Sequence, residues 1–221
     1  MPSFYTEADY EKSVMELFGG MNYEIVYGPD VERDLKSPLY DAVLDEQIHL
    51  LNPVLPEDAI TDAMFKLHNF ENGELVKRNE VFMDYLQNGV PVRYVANDEE
   101  CSSIAYLVDY DHPDNNSFIA ANQWTFIENS QKRPDVILFL NGLPIVIIEL
   151  KSPSREETDA SEAYLQLRNY MQEIPSMFIY NAICVMSDMM TSKAGTLTSG
   201  EDRFMEWKTV SAPRTDTCHK P

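Results

Sequence analysis

Two short apolar runs, Val136–Leu140 and Pro144–Ile148, stand almost back to back within RPDVILFLNGLPIVIIELKS, residues 133–152. Asn141 and Gly142 between them tolerate positive φ and signal a tight turn. A strand that is apolar on both faces belongs inside a sheet covered by helices. Three polar residues interrupt the stretch: Asp135 at its start, Glu149 and Lys151 near its end. Charges at a buried strand end are costly unless paired, solvated or bound to metal. A two-residue turn sets Asp135 opposite Ile148 and turns Glu149 to the other face. A three-residue turn, Asn141-Gly142-Leu143, sets Asp135 opposite Glu149 and brings Lys151 to the same face. The longer turn is the expectation, because it also puts Pro144 at the start of its strand, where a missing N–H is tolerated.

Elsewhere the periodicity predicts helices first. Thr6 to Phe18 has a capping residue, acids in its first turn, a Tyr10/Val14/Leu17/Phe18 stripe and a Gly19-Gly20 stop. Tyr23 to Tyr27 reads as a short strand, and Gly28 to Lys36 as a polar loop. Helices are expected over 38–51, 56–70 and 74–86, with Leu44 and Ile48, then Ile60 and Leu67, on their buried faces. Strands are expected over 90–96, 104–110 and 117–128, as an antiparallel meander leading into the Asp135 hairpin, with Trp124 and Phe126 in the core. A helix over 154–174, capped by Ser154, precedes a strand over 178–186 that a crossover of this length makes parallel to its neighbour. Residues 191–199 read as a loop and 201–207 as a short helix. The tail from 209 has no apolar periodicity and is expected to be disordered. The pattern is α/β: a mixed central sheet flanked by helices, with an N-terminal helical portion, folded as a single domain over 1–208 with the segment of about 38–88 packed on the sheet.

The chain has 221 residues, 44% of them hydrophobic, enough for a sizeable core. No apolar run reaches membrane-spanning length, and the N-terminus lacks the basic and apolar regions of a signal peptide, so no membrane association and a cytoplasmic location are expected. The three cysteines are scattered and have no metal-ligand spacing. The histidines in the helical block, His49 and His68, form no ligand pair. The net charge is −20. Unaided nucleic-acid binders carry basic patches, so this chain by itself is expected to bind DNA weakly even if Lys132, Arg133, Lys151, Arg155 and Arg168 cluster near the hairpin.

The expected register gathers two carboxylates and an ammonium at one end of a sheet. Asp135 and Glu149 can hold Mg2+, which prefers hard oxygen ligands, and the Leu150 carbonyl can join them. Such an ion lowers the pKa of water and neutralises phosphate charge, while Lys151 can position or activate water. Gln166 and Tyr170, four residues apart on the following helix, share a face that can reach this end of the sheet. Arg168 is a candidate phosphate contact. The blander reading is a solvent-exposed strand end with an ordinary ion pair.

Pro134-Asp135 with Glu149-Leu150-Lys151 resembles the PD-(D/E)xK nuclease motif, and Gln166-Leu167-Arg168-Asn169-Tyr170 resembles the QxxxY motif of one branch of that superfamily. Together with GPDVERD at 28–34, the 122–126 segment and RFMEW at 203–207, they resemble the N-terminal nuclease domain of type I restriction enzyme R subunits over about 6–208. The resemblance implies a restriction-endonuclease-like fold, catalytic Asp135, Glu149 and Lys151, metal ligation by Asp135, Glu149 and the Leu150 carbonyl, and Gln166, Tyr170 and Arg168 as site-organising or DNA-contacting residues. A first-helix glutamate approaches the metal in many such nucleases. Glu11 matches that position, and a solvated helix glutamate is its other reading. The implied partners are double-stranded DNA and, through a full-length R subunit, methyltransferase and specificity subunits. ATP belongs to motor domains outside these residues, which carry no P-loop. Two alternatives stay open: a stand-alone recombination-type nuclease, and a non-catalytic acidic docking module on a nuclease fold.

Overall fold

The computed structural model describes residues 6–151, 160–188 and 191–206. The first helix, α1 (Glu7–Gly20), opens on a reciprocal cap: Thr6 accepts from Asp9 N, and the Asp9 side chain accepts from Thr6 N. Strand β1 (Glu24–Tyr27) follows, then helices α2 (Asp41–Leu51), α3 (Glu57–His68) and α4 (Leu75–Asn88). Strands β2 (Val90–Ala96) and β3 (Glu99–Ala105) form a separate antiparallel ribbon that packs on α3. The chain continues through β4 (Phe118–Asn122), a small β5–β6 hairpin (Phe126–Ile127, Gln131–Lys132), β7 (Val136–Leu140) and β8 (Leu143–Leu150). Helices α5 (Ala160–Glu173) and α6 (Pro175–Ile179) lead to β9 (Ile183–Ser187), β10 (Ser192–Gly195) and β11 (Met205–Glu206).

Among the described residues, seven strands make one mixed sheet in the order β1-β4-β7-β8-β9-β10-β11. The β1–β4 and β8–β9 pairs are parallel and the other pairs antiparallel. Alternate residues of the central strands feed opposite faces. Val136, Ile148 and Leu150 pack with Met15 of α1, while Ile137, Phe139 and Ile147 pack with Leu167, Met171 and Ile174 on the other side. A third cluster joins α2, α3 and α4 to the ribbon and to Leu143. This is a restriction-endonuclease-like α/β architecture, with the central strands buried on both faces as their composition requires.

The hairpin register is reached by an unexpected route. Leu140 pairs with Leu143, so the turn has two residues, with φ of 52° at Asn141 and 81° at Gly142. A bulge then leaves Ile145 without a partner, because Leu138 pairs with Val146 and Phe139 with Pro144. The extra residue moves the open end by one, to Val136 opposite Ile148, and the next positions bring Asp135 against Glu149. The bulge is put to use, since Ile145 O accepts from Ala182 N at 2.8 Å on the way into β9.

Several expected elements differ. The strand expected over 104–110 is Glu99–Ala105, because the turn sits at Asn97 and Asp98, both with positive φ. The meander is split: β2 and β3 stand apart, and Gln123, at φ 55°, ends β4 before Trp124. The strand expected over 178–186 begins at Ile183, because Pro175 starts a short helix whose last carbonyls, Phe178 O and Ile179 O, accept from Asn79 Nδ2. Ser192–Gly195 is a strand rather than a loop, and 201–203 is a single 3-10 turn followed by β11. The Ser154 cap, Arg155, Trp207 and the tail from 209 lie outside the described residues.

Candidate active site

At the end of the sheet opposite the hairpin turn, the strands deliver their charged residues to one place. Asp135 enters β7 and its Oδ2 accepts from Leu150 N at 2.7 Å, which ties the two strand ends together. Glu149 is 1% exposed. Its Oε1 accepts from Lys151 Nζ at 2.7 Å, whereas its Oε2 makes no hydrogen bond, although the Tyr170 hydroxyl is near enough to influence its ionisation. Lys151 also donates to Gln166 Oε1 at 3.0 Å, and Gln166 Nε2 donates to the Tyr170 hydroxyl at 2.7 Å. The expected QxxxY pair therefore meets the carboxylates through the lysine. Lys151 N donates to Ser187 O at 2.8 Å, so β9 steadies the same strand end.

Burial is the main electrostatic influence here. It pushes the Asp135 carboxyl up to about 6, against the Leu150 N–H and Lys151, which favour the anion. It pushes Glu149 up to about 8, aided by the neighbouring Asp135 charge. For Lys151, burial disfavours the ammonium, but Glu149 and Asp135 outweigh it and hold the pKa above the ordinary lysine value. A buried and a half-buried carboxyl thus share one ammonium, and one Glu149 oxygen stays unpaired.

That donor set fits a hard divalent cation, since an unpaired buried carboxylate oxygen and a second carboxyl beside it are oxygen ligands short of positive charge. Asp135, Glu149 and the adjoining Leu150 carbonyl are the groups that could hold it. No cluster of three or more His, Cys, Asp or Glu residues arranged for a metal occurs among the described residues. Glu11 is turned to amide donors instead. Its Oε1 accepts from Asn122 Nδ2 at 2.7 Å, and Gln123 Nε2 donates to Oε2 at 2.8 Å and Oε1 at 3.1 Å. With Glu7, it lies close enough to Asp135 to disfavour ionisation there.

Arg168 is not brought to the site. Its Nη1 donates to Leu197 O at 3.0 Å and touches Met171 Sδ at 3.4 Å, on another side of α5 from Gln166 and Tyr170. Lys132 pairs with Glu173 at 2.6 Å, so it too is engaged elsewhere. His49 lies against Asp45 and Glu57, and His68 against Asp41. The sequence reading placed Asn122 and Gln123 in the family-like 122–126 segment but gave them no role at the site. Beyond that resemblance, their signal was a pair of amides following the apolar run Phe118–Ala121.

A mixed sheet bearing two carboxyls, one buried and one half-buried, and a lysine at one strand end places the chain in the restriction-endonuclease-like fold class. Comparison with known proteins narrows this further. The family described as "Type I restriction enzyme R protein N terminus" matches residues 4–203, and the chain belongs to that family. It is 35% identical over 214 residues to the "Type I restriction enzyme HindI endonuclease subunit" of Haemophilus influenzae, covering 92% of this chain and 20% of that protein. It is 30% identical over 212 residues to the "Putative type I restriction enzyme MjaIXP endonuclease subunit" of Methanocaldococcus jannaschii, covering 91% and 20%. A Staphylococcus saprophyticus relative, "Type I restriction enzyme SsaAORF53P endonuclease subunit", is 26% identical over 200 residues, covering 90% and 20%. The chain thus spans about a fifth of the length of these relatives.

Proposed function

We propose that this chain is the DNA-cleaving part of a type I restriction R subunit, and that it hydrolyses phosphodiester bonds of double-stranded DNA with a divalent cation, Mg2+ in the cell. The observation that carries this reading is the unpaired Oε2 of buried Glu149 beside Asp135, with Lys151 held between Glu149 and Gln166. Family membership supports it. In this reading the site is of the PD-(D/E)xK kind.

A cation bound there would neutralise phosphate charge and make water a better nucleophile. Asp135 and Glu149 hold it, and the Asp135–Leu150 N bond fixes the distance between the two strand ends. Lys151 keeps its proton at neutral pH, so it orients water or a phosphate oxygen through Nζ rather than removing a proton. Gln166 aims Lys151, and Tyr170 aims Gln166. The Tyr170 hydroxyl also lies near the Glu149 carboxyl and favours its ionised form. The DNA itself is held by other parts of the R subunit and its methyltransferase and specificity partners in the cytoplasm, because a net charge of −20 opposes binding by this chain alone. ATP-driven movement belongs to those other parts.

The test is calorimetric titration of Mn2+ into this chain and into Asp135→Ala and Glu149→Ala. The expected result is binding that both substitutions abolish, followed by loss of cleavage when the same changes are made in the complete R subunit complex. Equal binding by parent and folded variants sinks the proposal. The charge of −20 favours a second reading, an acidic docking module on a nuclease fold, and that same outcome would select it.

A further inference from the structure

The Gly28–Lys36 loop has no part in the chemistry above, yet it is fastened at several points to the segment that follows β4. A Cβ on Gly28 would meet Gln123 O at 2.7 Å and Trp124 Cα at 2.8 Å, so only glycine permits this approach. The Arg33 guanidinium lies 3.7 Å from the centre of the Trp124 ring, and its Nη2 donates to Thr125 O. Ile127 N donates to Leu35 O at 2.8 Å.

What these contacts enclose is Gln123. Its φ of 55° is a left-handed conformation, which a non-glycine residue keeps when its surroundings hold it there. The kink ends β4 and sends the Gln123 amide to α1, where Nε2 donates to both oxygens of Glu11. Asn122 Nδ2 is the second donor and makes the third bond, to Oε1. Asn122 pairs with Val136, so the Glu11 carboxylate is held on the strand beside β7, next to the entry of Asp135.

We propose that Gln123, kept in its kink by the Gly28–Arg33 loop, is a positioning residue that holds the Glu11 carboxylate near Asp135, where its charge raises the affinity of the site for a divalent cation. This rests on the metal-site reading above. The GPDVERD stretch then contributes no ligand of its own and instead sets the place of a charge through two intermediates.

The experiment is Mn2+ affinity by calorimetry on the 221-residue chain, with circular dichroism as the check on folding. Glu11→Gln removes one negative charge near the cation and should weaken binding about tenfold. Gln123→Ala and Arg33→Lys should each weaken it about three- to tenfold, and neither should add to Glu11→Gln in the double variant, because both act through Glu11. Should Arg33→Lys fail to fold, Gln123→Ala alone and combined with Glu11→Gln decides the same question. Binding that Asp135→Ala abolishes but Glu11→Gln leaves within about twofold overturns the inference while sparing the metal site. Losses from Gln123→Ala or Arg33→Lys that stay full-sized on the Glu11→Gln background also overturn it. Binding indifferent to Asp135→Ala, or absent from the parent, overturns the metal-site reading and this inference together.

Discussion

The two ends of the β7–β8 hairpin are built to opposite specifications. At the turn, Asn141 is 1% exposed, and each polar atom of its side chain has a partner. Its Nδ2 donates to Leu107 O and to Asn116 Oδ1, both at 2.8 Å, and its Oδ1 accepts from Ser117 N at 2.7 Å. Gly142 O accepts from Tyr40 N at 2.9 Å, which docks the turn on α2. At the open end, buried Glu149 and half-buried Asp135 compete for one lysine, and Glu149 Oε2 has no hydrogen bond. The same pair of strands thus carries a satisfied polar network at one end and an uncompensated one at the other. Buried polar groups cost stability unless they are paired, so the unpaired end is where the proposed cation would offset that cost.

The contrast can be broken most forcefully at the turn. In Gly142→Ala, a Cβ would meet Leu44 N at 2.6 Å and Tyr40 O at 2.7 Å, at a φ of 81°. Backbone cannot yield cheaply there, and a loss of about 3 kcal/mol or more is expected, read as a fall in the urea midpoint. A substitution at the other end should have the opposite sign. Asp135→Asn keeps an acceptor for Leu150 N but removes a charge that burial disfavours. The cation-free variant should be about 1–2 kcal/mol more stable than the parent at pH 8, with the gain shrinking towards pH 5 and Mn2+ binding lost. A cation-free variant less stable than the parent at pH 8 would undo the comparison.

The pH dependence sharpens it. Both carboxyls hold protons more tightly when folded than when unfolded, with Asp135 raised from 3.8 to about 6 and Glu149 from 4.5 to about 8. Their contribution to stability is therefore fully present below the unfolded values and is lost as pH rises through about 6 and then 8. Cation binding must displace these protons. Calorimetry near pH 7 in buffers of different ionisation enthalpy should show proton release, with affinity rising from pH 6 to 8. Buffer-independent heats would remove the raised carboxyls from the binding step. The smallest effect is expected at Arg168→Ala. Losing the bond to Leu197 O should cost about 1 kcal/mol of stability and leave Mn2+ affinity unchanged. A large loss of affinity would mean that this side of α5 communicates with the site after all.

Much of the site was legible in the sequence, because strand alternation is a local rule. The order of Asp135, Glu149 and Lys151 on two apolar strands is enough to predict that they converge, and the i, i+4 spacing of Gln166 and Tyr170 is enough to put them on one face. Arg168 shows the limit of that reasoning: sharing a motif with them did not put it on their side of the helix, and its partner, Leu197 O, is distant in sequence. The turn was misread because the two-residue form with a bulge and the three-residue form give the same register at the open end. The bulge answers to Ala182, which no local pattern could announce. The strand expected over 178–186 failed for a similar reason. Apolar residues at 178–180 suit a buried helix as well as a strand, and Asn79 on α4 holds the carbonyls that end the helix.

The sequence by itself determined the α/β class, the double burial of the central strands and the pairing of two carboxylates with a lysine, because each follows from periodicity and spacing over a few residues. Only the tertiary structure decided that Glu149 is left with an unpaired oxygen, that Glu11 is gripped by Asn122 and Gln123, and that the GPDVERD loop packs against the Gln123 kink. Those outcomes depend on which groups from distant segments arrive to satisfy a charge or close a gap. Burial and hydrogen-bond satisfaction are properties of the packed whole, and they become defined only when the sheet and its helices have closed around the site.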